Sequence, residues 1–337
     1  MRRHPKRGPR VIHLVDDATA GGVMRVLDHL AGDPVLARAG IHEIRQVRRG
    51  ELLRPAPAAV IVSHLAIRWG SLPALISLRA GHPGTPLVHV EHSYTERFVA
   101  LNVTRRTRFA SLLRVSYALF DRVVAVSAAQ GRWLVQRGHV PAPRLRVIRS
   151  CVDLAPFRAL PPPGPVARVA AIGRLDRQKG FDLLVQAVRA ARGPVGLDIH
   201  GTGADEPMLR ALAGGDPRIV FHGAGDPVAA LRAAQAVAMP SRWEACGLVA
   251  LEALSARRPL LVAPVDGLAD HLAFGARPVG ADSIAAWALA LDALEGTRPI
   301  PHPLPALERD FARGWHALLA ELTGKEAAEA RRPETTA

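Results

Sequence analysis

The sequence predicts an α/β protein of two doubly wound, Rossmann-like domains with parallel sheets, and three observations support this. Short β-branched runs alternate with amphipathic segments along the chain, the pattern of strands feeding crossover helices. The alternation stops once, over residues 156–165, where Pro161-Pro162-Pro163-Gly164-Pro165 continues neither helix nor sheet. The 337 residues also exceed what one hydrophobic core ordinarily organises. The expected division is residues 1–155, a linker at 156–165, a second domain at 166–324 and a charged, flexible tail at 325–337. Two such domains facing each other leave a cleft, where ligands bind.

Each element has its own signal. Val11–Val15 is apolar and β-branched, ends at Asp16-Asp17, and is followed by Gly21-Gly22 and by helical spacing over Val23–Ala31. That order is strand, glycine turn, helix. Further strands are expected at Ala59–Ser63, Leu87–Glu91 and Arg122–Ser127, closing near Leu145–Ile148. Helices are expected between them at Leu72–Ala80, Thr104–Leu119 and Ala128–Arg137. After the linker, strands follow at Val166–Ile172, Gly196–His200, Arg218–Phe221, Ala236–Met239 and Pro259–Val262. Their helices are Asp182–Ala191, Pro207–Ala213, Pro227–Ala233 and Leu248–Ser255, with two more at Ser283–Leu294 and Leu307–Leu322.

Composition narrows the function classes. Apolar content of 49% and charged content of 22% are those of a soluble globular protein. No run reaches the roughly 18–20 uncharged apolar residues of a membrane span. The basic start before Val11–Val15 lacks a signal-peptide core, so a cytoplasmic location is expected. Two cysteines build no disulfide framework, and fourteen histidines lack metal-ligand spacing, so no metal is expected. The net charge of +14 rests almost entirely on arginine, with only Lys6, Lys179 and Lys325 as lysines. That bias fits a GC-rich bacterial coding sequence. The surplus still favours anionic partners.

Two stretches carry chemistry. In Pro240-Ser241-Arg242-Trp243-Glu244-Ala245-Cys246-Gly247-Leu248, Glu244 precedes the glycine that opens a helix, and Glu252 lies within that helix's apolar run. A helix start offers free N–H groups to an anion, and a buried carboxylate needs a partner. A capping Glu244 and a salt-bridged core Glu252 remain an alternative. The second stretch, Gly173-Arg174-Leu175-Asp176-Arg177-Gln178-Lys179-Gly180, follows the first strand of the second domain and puts two cations at its carboxyl end, with a solvated loop of ordinary basic residues as the alternative.

Strand, Gly-Arg-x4-Lys-Gly, helix, then Glu-x7-Glu some seventy residues on: this order resembles the GT-B fold, retaining glycosyltransferases of family 4 (glycosyl transferases group 1). The resemblance extends to Gly21-Gly22, the strand at Arg122–Ser127, the Gly201-Thr202-Gly203 turn and the terminal helix, covering Val11 to Leu322. It implies a hexosyltransferase using a nucleoside diphosphate sugar as donor substrate, with no cofactor. Arg174 and Lys179 would neutralise the diphosphate, with Gly173 allowing close approach. Glu252 would accept hydrogen bonds from the ribose, and Glu244 would hold a sugar hydroxyl. Main-chain groups of Cys246, Gly247 and Leu248 would lie near sugar and phosphate, and Gly22 would let the N-terminal loop reach the diphosphate. His92 would stand near the donor sugar and acceptor, the alternative being a satisfied polar residue at a strand end. With Glu244 on a hydroxyl, retention is expected by front-face displacement rather than through a carboxylate nucleophile. The absence of a D-x-D triplet predicts metal independence.

Departures from the family pattern are Ser150-Cys151-Val152-Asp153 for N-G-V-D, Cys246 for a phenylalanine, and Asp270 for a glutamate. The acceptor stays open between lipid-linked and polysaccharide classes. Arg97, Arg105, Arg106, Arg108 and Arg114 beside Phe109, Leu112, Leu113, Leu119 and Phe120 offer a basic amphipathic face for peripheral contact with anionic membrane. An ordinary helix with its apolar side in the core is the alternative. The competing functions are a basic, non-enzymatic nucleotide-sugar or nucleic-acid binding protein, or another GT-B enzyme such as a sugar-nucleotide epimerase. Few aromatics and no nucleic-acid module speak against specific nucleic-acid binding.

Overall fold

A computed structural model describes residues 9–17, 21–52, 57–297, 304 and 306–324. The tail at 325–337 and the basic start at 1–8 lie outside the described residues. Two compact units are present. The first sheet contains β1 (Arg10–Val15), β2 (Ile41–Gln46), β3 (Val60–Ser63), β4 (Leu87–Glu91), β5 (Arg122–Ala125) and β6 (Leu145–Val147), in the order β2-β1-β3-β4-β5-β6. The second contains β7 (Arg168–Ile172), β8 (Gly196–His200), β9 (Ile219–Gly223), β10 (Ala236–Met239), β11 (Leu260–Val262) and β12 (Arg277–Pro278), in the order β12-β11-β10-β7-β8-β9. Every paired neighbour is parallel.

The central strands read as continuous apolar runs because helices cover both faces of a parallel sheet. Val60, Ile61 and Val62 of β3 and Val237 and Ala238 of β10 have no exposed surface. Edge strands lack that signal, and two of them go unpredicted by the sequence. In β2, Ile-His-Glu-Ile-Arg-Gln is an edge strand in which no residue is fully buried, and β12 is only two exposed residues. The helix expected over Thr104–Leu119 is shorter, Arg106–Ala118, and a separate helix precedes it at Glu96–Asn102.

The units depart from the expected domain boundaries at three places. The terminal helix Leu307–Thr323, expected within 166–324, belongs to the first unit. Its apolar stripe buries Leu307, Phe311, Trp315, Leu318 and Leu319, and Glu321 accepts from Arg122 of β5 and Arg146 of β6. Residues 95–102, expected in the first domain, belong to the second unit. Thr95 Oγ1 donates to Asp266 at 2.7 Å, Arg97 pairs with Asp282 at 3.0 Å, and Phe98 lies edge-on to Trp243. The expected linker at 156–165 is packed into the second unit. Phe157 and Leu160 are buried, and Ala155–Arg158 is a helical turn.

A buried arginine anchors that segment. Arg258 is 2% exposed and donates to the carbonyls of Pro161 (2.9 Å), Leu231 (2.9 Å) and Ala256 (2.7 Å). Burial, followed by neighbouring Arg257, pulls its pKa below the ordinary arginine value. Three carbonyl acceptors compensate for desolvating the guanidinium, a charge that would otherwise be costly to bury. Arg258→Leu should lower stability by about 2–4 kcal/mol. The measurement is the urea midpoint, and an unchanged midpoint would contradict the anchoring role.

Candidate functional site

In the second unit the strand order reverses between β7 and β10, and ligands of open α/β sheets bind at the carboxyl ends of the strands flanking such a switch. The loops leaving β7 and β10 are laced together there. Arg242 N–H donates to the Gln178 carbonyl at 2.8 Å, and Gln178 Nε2 donates to the Trp243 carbonyl at 3.1 Å. The Arg242 guanidinium forks onto Asp182 at 2.8 and 2.6 Å. Such bidentate pairs fix geometry as well as charge.

Glycines permit this closeness. At Gly180 (φ +67°) a Cβ would lie 2.3 Å from the Pro240 carbonyl oxygen, so a side chain would drive the two loops apart. At Gly201 (φ +139°) a Cβ would lie 1.8 Å from the Gly173 carbonyl oxygen, which ties the loop after β8 to the same place. Gly173 itself (φ +154°) lies against the Lys179 stem.

The basic and acidic motifs meet. Lys179 Nζ and Glu244 Oε2 are 2.5 Å apart, with side chains 16% and 12% exposed. Arg174 is the exposed member of this group: its side chain is 72% exposed, 3.4 Å from Asp176, and donates to Gln178 Oε1 at 3.0 Å. Gly247 (φ +81°) precedes the helix Leu248–Ser255, and Cys246 is buried with its carbonyl accepting from His271 Nε2 at 2.7 Å. Glu252 has no exposed surface within that helix. It therefore differs from Lys179 and Glu244, because contact with a ligand requires its carboxylate to become accessible.

Gly22 and His92 belong to the first unit. Gly22 opens the helix Gly22–Gly32 after an extended Gly21. His92 follows β4, whose end is pinned by Glu91. That carboxylate accepts from Ser93 N–H (2.7 Å), Tyr94 N–H (2.9 Å) and the Tyr117 hydroxyl (2.7 Å). Burial pushes the Glu91 pKa up, but His89, Tyr117 and the main chain outweigh it and hold the carboxyl below its usual range.

Sequence reasoning passed over two groups. The first is Asp266, a non-glycine residue at φ +44°. It accepts from Thr95 Oγ1, Arg97 N–H at 3.1 Å and Glu244 N–H at 3.4 Å, with its pKa raised by burial against those hydrogen bonds. The only hint in the sequence was its position before Gly267, where a Cβ would lie 2.1 Å from the Ala245 carbonyl oxygen. The second is a line of histidines from β2 to His92, scattered in sequence and joined only by strand order. His13 Nε2 lies 3.0 Å from His42 Nδ1, His13 Nδ1 lies 3.0 Å from His64 Nε2, and His64 Nδ1 lies 2.8 Å from His92 Nε2.

On the helix that carries the expected basic face, Arg105, Arg106, Arg108 and Arg114 are exposed. Leu112, Leu113 and Phe120 are in the core, Arg114 donates to the Arg137 and Gly138 carbonyls, and Arg108 stacks over Trp69. Its apolar side therefore packs inward, the ordinary arrangement of a surface helix. Among the described residues no helix is long and apolar enough to cross a membrane.

A family model described as Glycosyltransferase Family 4 matches residues 20–156, and one described as Glycosyl transferases group 1 matches residues 167–295. The chain belongs to the family 4 glycosyltransferases. A family relative, the D-inositol 3-phosphate glycosyltransferase of Nocardia farcinica, is 34% identical over 207 residues, covering 53% of this chain and 46% of that protein. Glycogen synthase of Mycobacterium tuberculosis is 31% identical over 168 residues, covering 46% and 40%. The chain thus spans about half the length of the curated relatives it matches. Among solved structures, Anabaena HepE in complex with UDP and glucose aligns with a TM-score of 0.65 at 17% identity, covering 96% of this chain and 99% of that one. Sucrose-phosphate synthase from Thermosynechococcus elongatus aligns with a TM-score of 0.64 at 22% identity, covering 96% and 98%. These likenesses place the fold of this family 4 member as GT-B, with two Rossmann-like units.

The histidine line has a consequence for stability. Burial lowers the pKa of His13 to about 3 and of His92 to about 4, with His42 adding to the effect at His13. Burial also holds His64 well below its ordinary value, as it does His42 to a lesser degree. These rings stay neutral when folded but bind protons near pH 6.5 when unfolded. The unfolded chain therefore holds more protons below pH 6.5, and stability must fall as pH drops from there toward the folded values. Between pH 6.5 and 5 the loss from wholly buried His13 alone is about 2 kcal/mol. Tm at pH 7.5 and pH 5.0 should differ accordingly; equal values would contradict neutral burial.

Proposed function

We propose that this family 4 glycosyltransferase moves a hexose-type sugar from a nucleoside diphosphate donor to a hydroxyl acceptor, retaining the anomeric configuration and needing no metal. The observation that carries this is the Lys179–Glu244 pair at the switch point, with Arg174 beside it. Cation, carboxylate and exposed guanidinium match a ligand that is diphosphate at one end and hydroxyl-rich at the other. Nucleotide and sugar in the HepE structure, and the glycosyl transfer named for the Nocardia relative, support the same donor class.

A diphosphate competes with Glu244 for Lys179. As it takes the ammonium, Glu244 is released to accept hydrogen bonds from sugar hydroxyls, and the exposed Arg174 closes on the phosphates. Charge grows on the leaving diphosphate as the anomeric C–O bond breaks, and cations fixed there lower that barrier. The acceptor oxygen forms its bond on the same face, and its proton passes to the departing phosphate oxygen. His92, in the first unit, keeps the role the family resemblance implies, contact with a sugar or acceptor hydroxyl, as a neutral ring at working pH. Glu252 is assigned to the ribose, with its carboxylate emerging from the helix on binding.

Thermal-shift titrations with UDP-, GDP- and ADP-sugars test the donor assignment, since a ligand of the native state raises Tm with its concentration. One nucleotide sugar should stabilise the protein, and Lys179→Ala should weaken that binding by about 10–100-fold. If no nucleotide stabilises the wild type, the transferase assignment fails. If Glu252→Ala binds normally, only the ribose assignment falls. Activity should survive EDTA, and the product's anomeric proton coupling should match the donor's; loss with EDTA or inversion would refute those two points.

A further inference from the structure

The histidine line is more regular than packing requires. In each of its three contacts Nε2 of one ring meets Nδ1 of the next: His92 to His64, His64 to His13, His13 to His42. A neutral imidazole has one N–H and one lone pair, and a hydrogen bond needs one of each. Neutral rings joined in this sense must therefore share one tautomer. Either all carry the proton on Nε2, leaving a lone pair on Nδ1 of His92, or all carry it on Nδ1. We infer that His64, His13 and His42 are positioning residues that set the tautomer of His92, the four imidazoles switching together along one hydrogen-bonded line.

The far end selects the tautomer. His42 Nδ1 is taken by His13, and the Leu36 carbonyl, which can only accept, favours a proton on that ring. His42 Nε2 is buried with no hydrogen-bond partner of its own, so it is the nitrogen left to carry that proton. The resting line thus carries Nε2–H throughout, and His92 offers a lone pair at Nδ1, suited to accept from a hydroxyl.

Surroundings hold the line in place. Trp315 of the terminal helix stands edge-on to His13 at 6.0 Å, and a cavity lined by Leu27, Val90, Val126 and Phe311 abuts His64 and His92. The charged or titratable groups facing His92 are Glu91, His89 and His64. An apolar surround disfavours an imidazolium in the line, so the rings stay neutral and the shared tautomer is kept. The inference rests on the proposed role of His92 for its catalytic meaning. Its test uses the full chain without donor or acceptor, so it stands or falls apart from transfer.

Two-bond 1H–15N correlation spectra of protein labelled at histidine distinguish Nδ1–H from Nε2–H. Wild-type His92, assigned by loss of its signals in His92→Gln, should show Nε2–H at pH 7.5. His13→Phe cuts the line and should raise the Nδ1–H population of His92 several-fold. His42→Leu, on the half-exposed edge strand, removes the terminal acceptor with less risk to folding and should act in the same direction. Circular dichroism and Tm establish that each variant is folded. An Nδ1–H tautomer at His92 in the wild type, or an unchanged tautomer in folded His42→Leu, overturns the inference. A purely structural role for these rings would alter Tm but not the tautomer.

Discussion

Close approach of main chain to main chain at the carboxyl ends of β7, β8 and β10 is the constraint on which the second unit's site depends. The carbonyls of Gly173, Leu175 and Pro240 each face a glycine whose Cβ would sit within 2.3 Å. Because the loops can touch, Arg242 reaches Asp182, Gln178 reaches Trp243, and Lys179 reaches Glu244. A lysine and a glutamate that are 65 residues apart in sequence become one ion pair through space that glycine leaves empty. The charges make the pair, but the missing side chains decide where the charges stand.

Much of this was legible in the sequence because the informative signals were local. Parallel strands buried on both faces announce themselves as apolar runs, and a glycine turn before an amphipathic stretch announces a helix. The motif around Glu244 and the loop around Lys179 could each be read in one window. The edge strands β2 and β12 were not legible, since half-exposed residues at a sheet edge carry no apolar pattern. The return of helix Leu307–Thr323 to the first unit was not legible either. Its stripe of Leu307, Phe311, Trp315 and Leu318 declares a buried face, but not which sheet buries it.

The histidines show the limit more sharply. His13, His42, His64 and His92 have no motif spacing, and their relation exists only because β2, β1, β3 and β4 are neighbours in that order. Strand order is a tertiary fact. Asp266 is similar: its backbone lies where glycine is at ease, and it is held there by Thr95, Arg97 and Glu244, from segments far apart in sequence. Residues of this kind become visible only after folding has chosen their neighbours.

The ion pair at the switch point also sets a rule for what can be admitted. Lys179 and Glu244 neutralise each other at 2.5 Å and are largely shielded from water. An anion that captures the lysine strands the glutamate, and a polyol that engages the glutamate leaves the lysine without its counter-charge. Free phosphate and free sugar therefore each work against a closed internal circuit. Under the proposed function, a molecule carrying both functions on one skeleton would open it without leaving a charge behind, and the pair would act as a coincidence detector for two chemical groups.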